Sequence, residues 1–164
     1  MTSQAFPIAA LVLGHEADPS RTAALGALVA TARDVGATPV VVAVPPGIEL
    51  PAPARVVRTR LSGPRIGAIR LGMAQLANTP ARVVLLLPDA GAAPSLVALL
   101  SLIDASKRAP EALVAFAGAS LDESPVLVPR DAWLELVTLA ENGLDAVAAR
   151  RRVERVERVE RVEH

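Results

Sequence analysis

Short, continuous apolar runs alternate along the chain with longer stretches in which apolar residues recur every three or four positions. The runs lack the apolar–polar alternation of a half-exposed strand, so they predict strands buried on both faces. They lie at residues 8–13, 38–44, 82–87, 111–118 and 124–129, and a weaker run at 54–59 predicts an edge strand. Helical spacing covers residues 22–36, 63–78, 93–108 and 130–143.

The order of these elements indicates the class of fold. Strands and helices alternate, as expected for a parallel sheet whose connecting helices cover both faces. The prediction is a single three-layer, Rossmann-like α/β domain over residues 1–150 with a mainly parallel sheet. The sequence also allows short antiparallel strands near the end of the domain. Gly36 is expected to end the first helix.

Residues 151–164 form a separate charged tail in which Val-Glu-Arg repeats with period three. Residues three positions apart do not lie on the same face of a strand, because strand side chains alternate between the two faces with period two. In a helix, Glu154–Arg158 and Glu157–Arg161 would form favourable pairs four residues apart. The tail is therefore predicted to be a solvated helix that is partly frayed. Disorder is the main alternative, and a helix that binds a partner is a second one.

Composition narrows the classes of partner. With zero net charge, no Tyr, one Trp and two Phe, the chain has neither a general attraction to nucleic acid or anionic membranes nor stacking platforms for bases. No apolar run approaches the length of a membrane span. The absence of Cys, with only two His, excludes thiolate chemistry and metal sites rich in Cys or His. A cytoplasmic protein that binds neither nucleic acid nor membrane is expected.

Candidate chemistry comes from the loops that leave the strands. In parallel α/β sheets, ligands bind at the carboxyl ends of strands where the strand order reverses, and loops 14–20, 45–53 and 88–94 leave such ends. Asp89 directly follows the central strand, and a lone carboxylate there suits Mg²⁺ that is otherwise held by substrate phosphates. The alternative is a loop residue in an Asx-turn, or a cap of the helix that starts near Ala93.

A second candidate feature is the glycine-rich start of the helix after Pro64. The segment reads SGPRIGAIRLG, and the free amides of its first turn, with Arg65 close by, are suited to an anion. Gly63, Arg65 and Gly67 lie in this segment. By contrast, His15 and Asp122 are expected to be loop residues outside the site.

The order of five segments resembles the MobA-like NTP-transferase family, the nucleotidyltransferases of molybdenum-cofactor synthesis and their relatives. The segments are IAALVLG, LVATARDVGATPVVVAV, GPRIGAIRLGMAQL, VVLLLPDAGAAPSLVALLSLI and ESPVLVPRDAWLELVTLAENG, within roughly residues 8–147. The resemblance implies a fold like that of the nucleotide-diphospho-sugar transferases. It also implies a bound nucleoside triphosphate, Mg²⁺ held by Asp89, and attack on the α-phosphorus by a phosphate of a second substrate.

The loop after the first strand departs from the family pattern, which is rich in Gly and Ser and carries an Arg and a Lys. Here the loop reads GHEADPSRTAALG, in which Gly14 keeps the pattern and Arg21 is a candidate for the lost cations. Glu16 and Asp18 place negative charge where the resemblance places phosphates, and this charge opposes phosphate binding.

Two functions follow from the resemblance and its departures. The first is transfer of a nucleoside monophosphate from CTP or GTP to a small phosphorylated acceptor, such as a molybdopterin-type cofactor. Asp89 would then be the catalytic and metal-binding residue, and the nucleotide would be held by Gly14, Arg21, Gly63, Arg65 and Gly67. The second is a catalytically degenerate binding or interaction module, because nucleotidyl transfer depends on charge neutralisation that the altered loop weakens. The sequence leaves a homodimer open.

Overall fold

The computed structural model describes residues 6–50, 54–59, 64–89, 94–138 and 143–158. Within these ranges seven strands form one sheet: β1 (Ile8–Leu13), β2 (Val40–Val44), β3 (Arg55–Arg58), β4 (Val83–Pro88), β5 (Leu113–Phe116), β6 (Val126–Pro129) and β7 (Val153–Val156). The helices are α1 (Thr22–Asp34), α2 (Arg65–Leu76), α3 (Leu96–Arg108), α4 (Trp133–Val137) and α5 (Gly143–Ala148). None of the described helices has the length and apolar content that a membrane crossing requires.

The strand order across the sheet is β3-β2-β1-β4-β6-β5-β7. β6 runs antiparallel to both of its neighbours, and every other neighbouring pair is parallel. The mainly parallel sheet and the late antiparallel strand are therefore confirmed, and the weaker run forms the edge strand β3. The chain builds outward from β1 to β3 on one side and continues with β4 on the other. The strand order thus reverses between β1 and β4.

Helices cover both faces of the sheet, which confirms the three-layer arrangement. α1 and α3 pack on one face through buried residues that include Leu25 and Leu99. α2, α4 and α5 pack on the other face around Met73 and Trp133. The buried Trp133 indole donates from Nε1 to the Val128 carbonyl (3.0 Å) and thereby fixes α4 against β6.

α2 lies very close to β1 because Gly72 faces that strand. A Cβ at Gly72 would lie 2.3 Å from Leu11 Cδ1, which is too short for any contact between real atoms. A core with few aromatic side chains needs such close backbone packing to reach the usual density. α2 follows β3, so its first turn, with Arg65, lies towards the carboxyl end of the parallel strands.

Gly36 ends α1 as predicted, because its φ of +94° is a left-handed conformation that no right-handed helix continues through. The predicted helix over residues 130–143 is wrong in its extent. A 3₁₀ turn leads into α4, which ends at Val137, and Gly143 begins α5 instead of ending the helix. The Gly143 φ of +58° marks the same left-handed break in direction.

The helical or frayed conformation predicted for the tail is wrong for residues 153–156. These residues form β7, which pairs in parallel with β5 at the edge of the sheet. The Arg152 and Val156 carbonyls accept hydrogen bonds from the N–H groups of Leu113 (3.0 Å) and Ala117 (2.8 Å). Residues 159–164 lie outside the described residues.

The period of three suits β7 because the strand has core on both faces. Val153 and Val156 are three residues apart, so their side chains point to opposite faces of the sheet. Val153 packs against the core under α2 and α4, and Val156 packs against the core under α1 and α3. The prediction assumed that a strand buries only one face, whereas a strand of a three-layer domain is covered on both faces.

Candidate functional site

The ends of β1 and β4 lie side by side where the strand order reverses. Leu13 and Pro88 are paired in register, and the Asp89 N–H donates to the Leu13 carbonyl (3.1 Å). Backbone hydrogen bonding thus fixes Asp89 at the carboxyl end of the central strand. Open α/β sheets bind their ligands at this position.

Gly14 is the first residue after β1, and packing requires a glycine there. Its N–H donates to the Ala43 carbonyl (2.8 Å). An added Cβ would lie 2.9 Å from Val44 Cγ1 and 3.0 Å from Leu25 Cδ2. A side chain would therefore displace buried atoms of β2 and α1, so this glycine has a structural cause that is independent of any phosphate ligand.

Arg21 reaches across to the loop after β4 and binds Asp89 at two points. Its Nη2 donates to Oδ1 (2.5 Å), and its Nε donates to Oδ2 (3.2 Å). The Asp89 side chain is 9% exposed, whereas the Arg21 side chain is 45% exposed. The hydrogen bond from Arg21 to Asp89, together with the carboxylate charge, raises the pKa of the Arg21 guanidinium. The carboxylate at the end of this apolar strand is therefore neutralised by the chain itself.

Asp89 does not cap the helix that follows it. The N-cap of α3 is Ser95, whose Oγ accepts a hydrogen bond from the Ala98 N–H (3.1 Å). In the loop after β1, Asp18 caps the 3₁₀ turn by accepting from the Ser20 N–H (2.8 Å), and its side-chain hydrogen bond with Ser20 lowers the pKa of Asp18. Of the two carboxylates expected to oppose phosphates, Asp18 is thus held in place by local hydrogen bonds.

The described residues fit a metal ion that arrives with a substrate, and they do not fit one held by the protein alone. In the described part of the chain, no three His, Asp or Glu side chains lie close enough together to hold a metal ion. Asp89 is one carboxylate, and both of its oxygens already accept from Arg21. Mg²⁺ commonly takes one or two carboxylates plus substrate phosphates. Asp89 would be one such carboxylate only after Arg21 had released it.

Arg65 supplies a second cation at this end of the sheet. Its Nε lies 3.5 Å from Asp122 Oδ1, and its side chain is 20% exposed. Both Nε and Nη2 are buried, and neither donates a hydrogen bond to a described residue. Burial lowers the pKa of Arg65, although the charges of Asp122 and Glu123 oppose this shift. A buried guanidinium with unused donors is suited to an anionic ligand.

His15 joins these groups from the loop after β1. Its side chain is half-buried, and no described residue bonds to its buried Nδ1. Burial is the main cause that lowers the pKa of His15, and the positive charge of Arg65 lowers this pKa further. The negative charges of Glu16 and Asp89 act in the opposite direction and raise it. The imidazole therefore lies within the electrostatic range of both Arg65 and Asp89, which places the three groups at one end of the sheet.

A cavity of about 600 Å³ lies along α2 between the end of β3 and α4, and its lining includes Gly67, Arg70 and Val137. Arg70 donates from Nε to the Val137 carbonyl (3.1 Å) and ties the two helices together. A Cβ at Gly67 would meet only Pro64 ring atoms, at 3.7 and 3.9 Å, so packing does not require this glycine. Asp89 does not line the cavity, and Gly63 lies outside the described residues.

The structure brings Arg21 and Asp89 into contact and places Gly14 and Arg65 at the same end of the sheet. Sequence reasoning missed Asp122, which faces Arg65, and His15, which is half-buried beside charged groups. Neither residue belongs to a local motif. Only the pairing of distant segments in the folded chain gives them their surroundings, so no sequence signal marks them.

No family model matches the sequence, and no curated protein matches it. The fold does match solved structures. Rv0371c from Mycobacterium tuberculosis H37Rv, solved in complex with manganese, has a TM-score of 0.70 at 18% identity, over 92% of this chain and 88% of that one. The 2-C-methyl-D-erythritol 4-phosphate cytidylyltransferase of Thermus thermophilus has a TM-score of 0.61 at 18% identity, over 96% of this chain and 93% of that one.

A third match, the 4-diphosphocytidyl-2C-methyl-D-erythritol synthase of Anaerococcus prevotii DSM 20548, has a TM-score of 0.64 at 10% identity, over 93% of this chain and 89% of that one. This chain shares their fold. The predicted fold class is thereby confirmed. At these identities the likeness is one of fold, so activity and ligands are matters for proposal.

Proposed function

We propose that this chain binds a nucleoside triphosphate at the carboxyl ends of β1 and β4. It would transfer a nucleoside monophosphate from CTP or GTP to a small phosphorylated acceptor. The observation that carries the proposal is the Arg21–Asp89 pair, in which an exposed guanidinium meets a nearly buried carboxylate where the strand order reverses. A cytidylyltransferase with the same fold supports the reaction class. The resemblance of the sequence to MobA-like proteins supports a molybdopterin-type acceptor.

Arg21 would act by exchanging partners. Its guanidinium fork binds a phosphate as well as a carboxylate, and a triphosphate carries more negative charge than Asp89. Because the Arg21 side chain is half-exposed, it has room to turn from Asp89 to a ligand. Arg65 would contribute its unused Nε and Nη2 donors to the same phosphates. Most of the catalysis in phosphoryl chemistry of this kind is positioning and charge stabilisation.

In the proposed reaction, a phosphate oxygen of the acceptor forms a bond to the α-phosphorus of the triphosphate. The bond from the α-phosphorus to the oxygen that bridges to the β-phosphate breaks, and pyrophosphate leaves with that oxygen. Asp89, released by Arg21, would hold Mg²⁺, which when bound neutralises charge on the phosphates and on the leaving pyrophosphate. The exchange therefore couples binding of the nucleotide to exposure of the carboxylate.

The test is the melting temperature with CTP, GTP, ATP and UTP, each with and without Mg²⁺. At a nucleotide concentration of about 100 times Kd, linkage adds about 2.7 kcal/mol of stability and raises the melting temperature by about 5–10 °C. We expect CTP or GTP to give this rise, Asp89→Asn to remove its Mg²⁺-dependent part, and Arg21→Gln to remove most of it. Arg82→Gln is the matched control, because Arg82 is an exposed arginine at the opposite end of β4.

Catalysis is tested separately by pyrophosphate release from the nucleotide that binds, in the presence of molybdopterin and a set of sugar phosphates. Release that depends on both the acceptor and Asp89 supports the transferase. No change in melting temperature with any nucleotide at millimolar concentration contradicts nucleotide binding, and with it the proposed function.

The second candidate is a catalytically degenerate binding module, and a specific observation favours it. Lys107, the single lysine of the chain, lies at the C-terminal end of α3 beside Phe6, away from the carboxyl ends of β1 and β4. The loop with Asp18 therefore lacks the lysine that the resemblance implies. Binding of a nucleotide with no pyrophosphate release under any acceptor would select this candidate.

A further inference from the structure

The outer side of β7 pairs with no other strand in the described part of the chain. The carbonyls of Arg152 and Val156 point towards β5, where they accept hydrogen bonds. Because successive residues of a strand direct their backbone groups to opposite sides, residues 153, 155 and 157 present theirs outward. Such a row of free donors and acceptors is a template for another strand.

The side chains on this edge are complementary to the same segment running in the opposite direction. If Val156 lies opposite Val156 of a second copy, Arg155 lies opposite Glu157, and Glu154 lies opposite Arg158. In this repeat an Arg precedes each valine and a Glu follows it. When two copies run antiparallel with a valine opposite a valine, each Arg therefore lies opposite a Glu. Opposed pairs of this kind stabilise antiparallel strands.

Antiparallel geometry also restricts the register. Opposed residues must both face the partner strand or both face away from it, so registers shift in steps of two. A shift by one such step in either direction places Arg155 opposite Arg155, or Glu157 opposite Glu157. Both alternatives put like charges together, which destabilises the pair. Charged side chains on an edge normally discourage pairing with foreign strands, whereas this order favours the chain's own copy.

We propose that two copies of this chain pair β7 to β7, antiparallel, about a two-fold axis at Val156, so that one sheet continues through both. The interface uses the same residues on both copies, as a two-fold contact requires. Glu157 has no hydrogen-bond or ion-pair partner among the described residues, whereas Glu154 already pairs with Arg152 of its own chain. Arg155 donates from Nη1 to the carbonyls of Phe116 (3.0 Å) and Ala119 (2.9 Å), which lie in β5 and just after it, so pairing with Glu157 would engage the other guanidinium nitrogens of Arg155.

Disulfide trapping tests the pairing and its register, because the chain contains no cysteine. Val156→Cys places two thiols opposite each other across the axis, in a pair whose backbones do not hydrogen-bond to each other and therefore approach closely. We expect this variant to form a covalent dimer under mild oxidation, and Val153→Cys to stay uncrosslinked. Absence of a Val156→Cys dimer, or preferential crosslinking of Val153→Cys, overturns the proposal.

Sedimentation of the unmodified chain and of charge variants gives a second, independent measurement. Glu157→Arg places an arginine opposite Arg155 twice in each dimer, and we expect the dimer dissociation constant to rise roughly tenfold. Asp34→Arg changes the net charge equally on α1 and is expected to leave the constant unchanged. Adding Arg155→Glu to Glu157→Arg should restore the dimer. A chain that sediments as a monomer at all concentrations contradicts the proposal, whatever its nucleotide binding.

Discussion

Two arginine–carboxylate clusters lie at opposite ends of the sheet, and they differ in how fully the arginine is used. At the carboxyl end, Arg21 has one partner, Asp89, and its side chain is 45% exposed. At the other end, Arg151 donates to Glu135 Oε2 (2.7 Å), to Asp131 Oδ1 (3.0 Å) and to the Asp131 carbonyl (3.0 Å), and its side chain is 23% exposed.

The difference distinguishes a structural contact, made by Arg151, from a contact that a ligand can replace, made by Arg21. Arg151 joins the segment before β7 to α4 and the turn that precedes it, and each of its three guanidinium nitrogens donates to a protein acceptor. A ligand would have to break all of these contacts to engage it. The Arg21 side chain is partly exposed, and it would have to give up only one carboxylate to bind a ligand. Position relative to the strand ends, more than residue type, decides which cluster is suited to a ligand.

The largest expected effect concerns Gly14, which places the loop that carries Arg21. Gly14→Ala forces a Cβ against Val44 and Leu25, and we expect a loss of about 1–3 kcal/mol in the free energy of unfolding. Urea denaturation measures it. Gly26→Ala on α1 is the control, because a Cβ there meets nothing within 4 Å and alanine favours a helix. Equal stability of the two variants would mean that this end of the sheet is loosely packed.

A smaller effect is expected at the opposite cluster. Arg151→Gln removes two ion pairs and a hydrogen bond to the Asp131 carbonyl, and we expect the unfolding free energy to fall by about 1–2 kcal/mol. Its effect on nucleotide-induced stabilisation should be nil. Arg21→Gln should show the reverse, with less loss of stability and loss of the nucleotide effect. If both variants change the unfolding free energy and the nucleotide-induced stabilisation alike, the distinction between a structural and a replaceable contact is wrong.

The smallest expected effect is a pH dependence from His15. Burial lowers its pKa in the folded state below the ordinary value of about 6.5, so the unfolded chain binds the proton more readily. The stabilising contribution of the neutral imidazole is therefore complete above about pH 6.5 and is lost as the pH falls towards the lower folded-state pKa. Urea denaturation across this range should show a shallower slope for His15→Asn. Identical pH profiles would place the imidazole in a solvated setting.

Much of the fold follows from apolar patterning. The central strands consist of apolar residues because both faces are covered, and Gly36 marks a helix end that its left-handed φ demands. β7 escaped prediction because its two valines serve two different cores, which a search for one apolar face overlooks. The break before α5 escaped prediction because Gly143 begins a second short helix, whereas a glycine after a helical stretch usually ends the helix.

The sequence predicted Asp89, Arg21 and Arg65 as candidate site residues, but it did not predict the contacts that they make. The carboxylate of Asp89 after an apolar strand could be identified from sequence, because so few polar residues interrupt the apolar runs. Its two-point contact with Arg21 depends on the pairing of β1 with β4, which brings two distant loops together. The contact of Arg65 with Asp122 depends likewise on tertiary packing. Sequence patterns report faces and periods, and they do not report which loops meet.

Trp133 has a practical consequence for spectroscopy. It is the single tryptophan of a chain without tyrosine, so the near-ultraviolet fluorescence of the protein comes almost entirely from one indole. That indole is buried against β6 beneath the Arg130 guanidinium, which lies 4.5 Å from the ring centroid. Its emission therefore follows the detachment of α4 from the sheet. Rearrangement of the loops around Arg21 and Asp89 is silent in this signal and needs a probe introduced for the purpose.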